Sequence, residues 1–214
     1  MTDLQFECLG ARPDRYAAAP TLLFDLRVRE TTGARVHALV LRTQIRVEPA
    51  KRRYSDEEAE RLLDLFGERP RWADTQKALQ LASVAVALPG FTGETEVALP
   101  VPCTYDLEVA PTRYLHALGD GEAPLLLLFS GTVFFAGGGS GLQVEQVPWD
   151  REVSYRLPAA VWRELMDRYF PDSAWLRLRR SSVDALGRVK SREALPTWDE
   201  TVERVLKQAG EEPP

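Results

Sequence analysis

Leu22-Leu23-Phe24-Asp25-Leu26-Arg27-Val28-Arg29, the turn Thr31-Thr32-Gly33-Ala34, and Leu39-Val40-Leu41-Arg42-Thr43-Gln44-Ile45-Arg46-Val47 form the stretch that sets the fold class. In the first segment Leu22, Phe24, Leu26 and Val28 share one face, and Asp25, Arg27 and Arg29 the other. In the second, Leu39, Leu41, Ile45 and Val47 lie opposite Arg42, Gln44 and Arg46. A period of two places successive side chains on opposite faces of a strand, so both segments read as strands with one buried face. The short turn between them predicts an antiparallel pair with one wet face.

Working outward, Leu4, Phe6 and Cys8 repeat the alternation. Strand patterns return at 79–88, 94–99, 103–109, 125–135, 142–147 and 153–157, punctuated by Pro89-Gly90 and Pro100-Val101-Pro102. Gly137-Gly138-Gly139-Ser140-Gly141 reads as a flexible hairpin connection. One helix interrupts the strands over about 55–67: Ser55 with Glu58 is a capping box, Ala59, Leu62, Leu63 and Phe66 form the stripe, and Gly67 stops it. The last quarter changes character. Pro158 opens a helix carrying Val161, Trp162, Leu165, Met166, Tyr169 and Phe170. Trp175–Arg179 alternates as a short strand, Ser181 or Ser182 caps a second helix, and Thr197 with Glu200 caps a third. The expected fold is α+β: an antiparallel β-sandwich of immunoglobulin-like architecture over residues 1–157, with the inserted helix. A helical C-terminal layer over 158–209 is expected to pack on it, followed by a loose tail at 210–214.

Composition narrows the function classes. The 214 residues are 44% hydrophobic and 28% charged, which excludes a disordered chain. With 27 basic and 32 acidic residues the formal charge is −5, so no whole-chain field draws nucleic acid or an anionic membrane. Arginine far outnumbers lysine, a bias that suits protein interfaces and that codon usage alone also produces. The start, Met1-Thr2-Asp3-Leu4, has no apolar leader pattern, and the longest apolar run, Pro124–Phe129, falls short of the ~18 residues of a membrane span. A cytoplasmic protein with reduced Cys8 and Cys103 and no membrane partner is expected.

Tests for chemistry are negative. No string ends in Gly-Lys-Ser/Thr as a phosphate-cradling loop does, and Ser140 fails as a nucleophile elbow because Leu142 stands where glycine is needed. Two Cys and two His build a four-ligand zinc site only if all four converge. Cys103 with His37 or His116 as base has no local link, and Cys103 reads as a small buried thiol. Asp106 and Glu108 read as a solvated strand face. No catalytic residue, metal or cofactor is expected, and the chain is expected not to be an enzyme. Two candidate recognition surfaces remain. One is a cationic edge of Arg27, Arg29, Arg42, Arg46, Lys51, Arg52 and Arg53, brought together by the expected hairpin. The other is an aromatic junction of Trp149, Tyr155, Trp162, Tyr169 and Trp175. A balanced wet sheet face and a helix–sheet core are the plain alternatives.

Leu41–Pro49, Arg52-Arg53-Tyr54-Ser55, Pro100–Asp106, Leu127–Phe134, Val147-Pro148-Trp149 and Leu195–Asp199 resemble an actinobacterial family of unknown function. Its members tend to be encoded near nickel–iron uptake hydrogenases. The resemblance spans nearly the whole chain and implies an accessory role in that system, with no catalytic residues to carry over. Cys103 is the one cysteine in these motifs, too few for a nickel–iron or iron–sulfur centre, so an electron carrier is not expected. Residues 175–207 are locally similar to a ribbon-helix-helix unit, in which Arg177 and Arg179 read DNA while Leu176 and Leu178 face the core. The reading is therefore a non-catalytic accessory protein that binds another protein, a nickel–iron hydrogenase component by the resemblance. A DNA-binding regulator is the alternative and a small-molecule binding module the third; a homo-oligomer is compatible with each.

Overall fold

The computed structural model describes residues 2–136, 141–173 and 175–211. The glycine-rich connection, apart from Gly141, and the end of the tail lie outside the described residues. The chain divides into two compact units, Met1–Trp175 and Leu176–Pro214.

The first unit carries the strands. A three-stranded antiparallel sheet has the order β1 (Leu4–Pro13), β2 (Thr21–Glu30), β5 (Glu94–Pro102). A five-stranded sheet begins β4 (Leu79–Phe91), β3 (Val36–Val47), β6 (Glu122–Ala136). The far side of the long β6 pairs with β7 (Leu142–Gln146) at one end and with β8 (Glu152–Pro158) at the other. Inward residues of both sheets share one core: Phe6 of β1 stacks on Phe129 of β6 at 4.3 Å, and Phe24 of β2 meets Tyr155 of β8 edge-on.

The expected β2–β3 hairpin does not form. β2 pairs with β1 and β5, while β3 pairs with β4 and β6, so residues 31–35 pass from one sheet to the other. In its actual place β2 sets Arg27 between Glu7 and Glu96 and Arg29 opposite Glu94, so its outward arginines meet carboxylates on both neighbouring strands. The Thr92-Gly93 link makes the same change of sheet between β4 and β5, with Gly93 at φ +74°.

Two glycines of the five-stranded sheet lie close against neighbouring backbone, one near the end of β4 and one in the middle of β6. A Cβ at Gly90 would meet His37 O at 2.9 Å, and one at Gly131, which has φ +152°, would meet Val40 O at 2.1 Å. Only glycine fits such positions without strain.

The expected inserted helix starts as read: Ser55 Oγ accepts from Glu58 N, and the Glu58 carboxylate accepts from Ser55 N. It breaks at Leu62 into α1 (Asp56–Arg61) and α2 (Leu63–Phe66), ending at Gly67 with φ +73°. A short α3 (Trp72–Thr75) follows. The strand expected over 103–109 is absent. The prolines at 100 and 102 end β5, and the Asp106 carboxylate accepts from Glu108 N in a turn that leads to α4 (Ala110–Ala117). α5 (Ala159–Tyr169) packs on β1 and β8 within this first unit.

The second unit holds α6 (Arg180–Arg192) and α7 (Trp198–Ala209). Thr197 caps α7 through Glu200 N, as the sequence predicts, and Gly210 closes it in the left-handed conformation. Arg179, and neither Ser181 nor Ser182, stands at the start of α6. The expected strand at 175–179 reduces to an isolated bridge between Trp175 and Asp106; Leu176–Arg179 form no strand, and Leu176 and Leu178 are exposed. Among the described residues no helix is long and apolar enough to cross a membrane.

Candidate functional site

The two sheets present opposite outer faces. On β1–β2–β5 the charges are consumed internally. Arg27 pairs with Glu7 at 3.1 Å and Glu96 at 2.8 Å, Arg29 with Glu94 at 2.9 Å, and Arg12 with Asp25 at 3.0 Å. The carboxylate of Glu96 raises the Arg27 pKa further, so the guanidinium is held as part of a cross-strand ladder. Arg27 and Arg29 therefore lie on a different sheet from Arg42 and Arg46, and the single cationic edge expected from the sequence is not assembled.

On the outer face of the five-stranded sheet Arg46, Glu152 and Arg156 lie in the half that includes β8, and the half that includes β7 carries Arg42 as its charge. Register places Pro89, Ala38, Phe134 and Val144 in one row, Ala87, Val40, Thr132 and Gln146 in the next, then Ala85, Arg42 and Ser130. Val40 is 47% exposed and Val144 54%, values high for apolar residues in paired strands. Arg46 donates to Gln44 Oε1 at 2.9 Å, and Gln44 donates to Gln80 Oε1 at 2.6 Å. Arg42 is exposed and has no hydrogen-bond or ion-pair partner among the described residues. This half of the face combines the exposed apolar Val40 and Val144 with Thr132, Gln146 and Ser130 around one unpaired cation. Chemically it suits a protein surface that offers apolar side chains around a carboxylate.

Sequence reasoning named Arg42 and Arg46 but missed Val40, Phe134 and Val144. The signal was present: Leu125–Phe135 is apolar at alternate positions on both faces, which reads as a strand covered on both sides. Here the inward side is buried, and the outward Leu126, Leu128 and Phe134 are half-buried.

Arg52 and Arg53 separate. Arg53 is exposed, whereas Arg52, with an 11% exposed side chain, pairs with Glu58 at 2.7 Å and donates to Asp120 O. Glu58 also accepts from Gly119 N at 3.0 Å, and the Arg52 guanidinium lies 5.2 Å from the Tyr54 ring centre. Tyr54 and Tyr114 share a hydroxyl hydrogen bond of 2.9 Å, and burial raises both phenol pKa values. This is a structural joint between α1, α4 and the loop before β6. Lys51 is tied to Glu48.

The aromatic junction is not one surface. Trp162 is buried in the core, Tyr155 is half-buried against Phe24, and Tyr169 donates to Ala17 O, while Trp149 is 90% and Trp175 68% exposed. Arg177 and Arg179 are both exposed in the segment that lacks a strand.

The nucleophile and base candidates do not converge. Burial pushes the Cys8 thiol up to about 11 and Cys103 up to about 12, so both stay protonated at neutral pH. Cys103 donates to Val101 O, and His116 Nδ1 is 2.8 Å from the Tyr105 hydroxyl. Burial, with the nearby Arg61 charge, lowers the His116 pKa. Among the described residues no three His, Cys, Asp or Glu side chains group as a metal site.

Comparison with known proteins adds one assignment. A family model, "Family of unknown function (DUF6084)", matches residues 1–214. The chain belongs to this family. Among curated proteins none matches. Two solved structures are similar at low identity. The crystal structure of the putative ApaA protein from Bordetella pertussis is 12% identical over 73% of this chain and 95% of that one, with a TM-score of 0.27. That of a beta-glucosidase from Kluyveromyces marxianus is 11% identical over 72% of this chain and 15% of that one, with a TM-score of 0.23.

Proposed function

We propose that this DUF6084 chain is a non-catalytic accessory protein that binds another protein through the outer face of the five-stranded sheet. The observation that carries the reading is the contrast between faces. One outer face neutralises its own arginines in a cross-strand ladder, and the other leaves Val40 and Val144 exposed beside the half-buried Phe134 and the unpaired Arg42. An exposed apolar patch on a regular sheet is unfavourable in water unless something covers it. The partner's chemistry follows: an apolar surface with a carboxylate placed to meet Arg42. The resemblance noted above makes that partner a component of a nickel–iron hydrogenase system, and the two sheets are read as an immunoglobulin-like sandwich that serves as the scaffold.

The test uses the tagged full chain in its native host, with the eluate read by mass spectrometry. Hydrogenase subunits or maturation factors are expected with the wild type and are expected to be lost with Arg42→Glu combined with Val40→Glu. Equal recovery by the variant, or no enrichment by the wild type, would remove this surface from the account.

A further inference from the structure

We propose that two copies of this chain pair edge to edge through β4, joining their five-stranded sheets into one continuous antiparallel sheet. This goes beyond the partner-binding reading, because it concerns the strand edge and not the sheet face.

Among the described residues β4 is bonded to β3 on one side and to no strand on the other. A free edge offers unpaired N–H and C=O groups, and proteins protect such edges with charges, prolines or bulges. The other edges of this molecule are protected in those ways. β1 carries Glu7, Arg12 and a register shift between Cys8 and Gly10. β5 carries Glu94, Glu96, Pro100 and Pro102, and β8 carries Glu152 and Arg156. The five-residue β7 carries Glu145. β4 departs from the pattern: its 13 residues contain no charged side chain. Its bulge lies at one end, between Ala82 and Gln80, and its proline at the other, Pro89, which leaves 82–88 in unbroken register with β3.

A second observation points the same way. The inward side chains Val84 and Val86 are only partly buried, whereas inward residues of the central β2 and β3, such as Phe24, Leu26, Leu39 and Leu41, are 0% exposed. α4 packs on β4, yet Val84 and Val86 keep part of their surface exposed, and an added strand would cover them further.

The occupant that fits is the same segment of a second copy. A two-fold axis through Ala85 sets Ala85 against Ala85, Val84 against Val86, Ser83 against Ala87 and Ala82 against Leu88. No like charges oppose, the β-branched residues meet one another, and the antiparallel pattern over this segment makes about six to eight backbone hydrogen bonds. The two-fold closes the assembly at two copies.

The test is the mass of the purified full chain by sedimentation velocity, without any partner. Ala85 faces solvent, so Ala85→Glu and Ala85→Lys should keep the fold by circular dichroism. Across the axis residues 85 lie about 5 Å apart, so like charges there oppose pairing. The wild type should run as a dimer, each variant alone as a monomer, and their equimolar mixture as a dimer again. Arg42→Glu, which tests the partner surface, should remain dimeric. A wild type that stays monomeric up to about 100 µM, near the weak end of specific association, would overturn the proposal. So would variants that still dimerise alone, or a mixture that stays monomeric.

Discussion

Replacing Gly131 by alanine tests the register at the centre of the five-stranded sheet. Gly131 pairs with Leu41, and its carbonyl accepts from Val147 N at 2.9 Å. An added Cβ would sit 2.1 Å from Val40 O, 3.1 Å from Val40 C and 3.2 Å from Leu41 Cα. All three are backbone atoms of the central strand, so no side chain can swing aside. Overpacking of this kind costs about 1–3 kcal/mol, and a non-glycine residue in the strained backbone region costs about 1–3 kcal/mol more. A total of about 4 kcal/mol lowers the melting temperature of a chain this size by about 10 °C. Gly10→Ala is the control: its Cβ would meet nothing within 4 Å. Scanning calorimetry of both variants reads the difference. A Gly131→Ala protein that melts within about 2 °C of the wild type would refute the close approach and the register drawn from it.

Other consequences follow from the same geometry. Arg52→Met leaves Glu58 buried without its cation, and urea denaturation should show a loss of about 3 kcal/mol, the usual cost of breaking a buried pair on one side; an unchanged midpoint would contradict that joint. Arg27→Ala removes an exposed ladder member and should shift the melting temperature by no more than about 2 °C, because such pairs are screened by solvent. The two thiols give a pH dependence of definite sign. Burial holds Cys8 at about 11 and Cys103 at about 12 against an ordinary value of 9.0, so the unfolded chain releases these protons first. Their contribution therefore lowers stability as pH rises from about 9 toward those values. Thiolate absorbance in the folded protein should be absent at pH 9, and its appearance there would contradict the burial. His116 should titrate below its ordinary 6.5 by proton NMR, and since the unfolded state then binds the proton more readily, its contribution favours folding less as pH falls below that value.

Much of the architecture is legible in the sequence because local periodicity and caps carry it. The alternation at Leu22–Arg29 and Leu39–Val47 marks real strands, and the Ser55–Glu58 and Thr197–Glu200 pairs mark real helix starts. What local pattern does not encode is which strand lies beside which. Gly33 reads as a hairpin turn, yet β2 finds its complement in Glu7 and Glu96, carboxylates far away in the chain. The candidate site suffers from the same limit. Arg27 and Arg42 look alike on paper, each an outward arginine on an amphipathic strand, and only the cross-strand neighbours show one paired and the other open. The aromatic residues fail for a related reason, since Trp162 lies on a helix stripe facing the core while Trp149 sits in an exposed turn. Asp106 and Glu108 alternate with apolar residues but follow two prolines, which end the strand before they are reached.

On the proposed function, the outer face of the five-stranded sheet, and not that of the three-stranded one, meets a protein partner. Site-specific photo-crosslinking tests it directly, with a benzophenone amino acid placed at Val40 in one protein and at Arg29 in another, each expressed in the native host. A covalent adduct from position 40 to a hydrogenase-system protein is expected, and none from position 29. An adduct from position 29, or none from position 40, would contradict it.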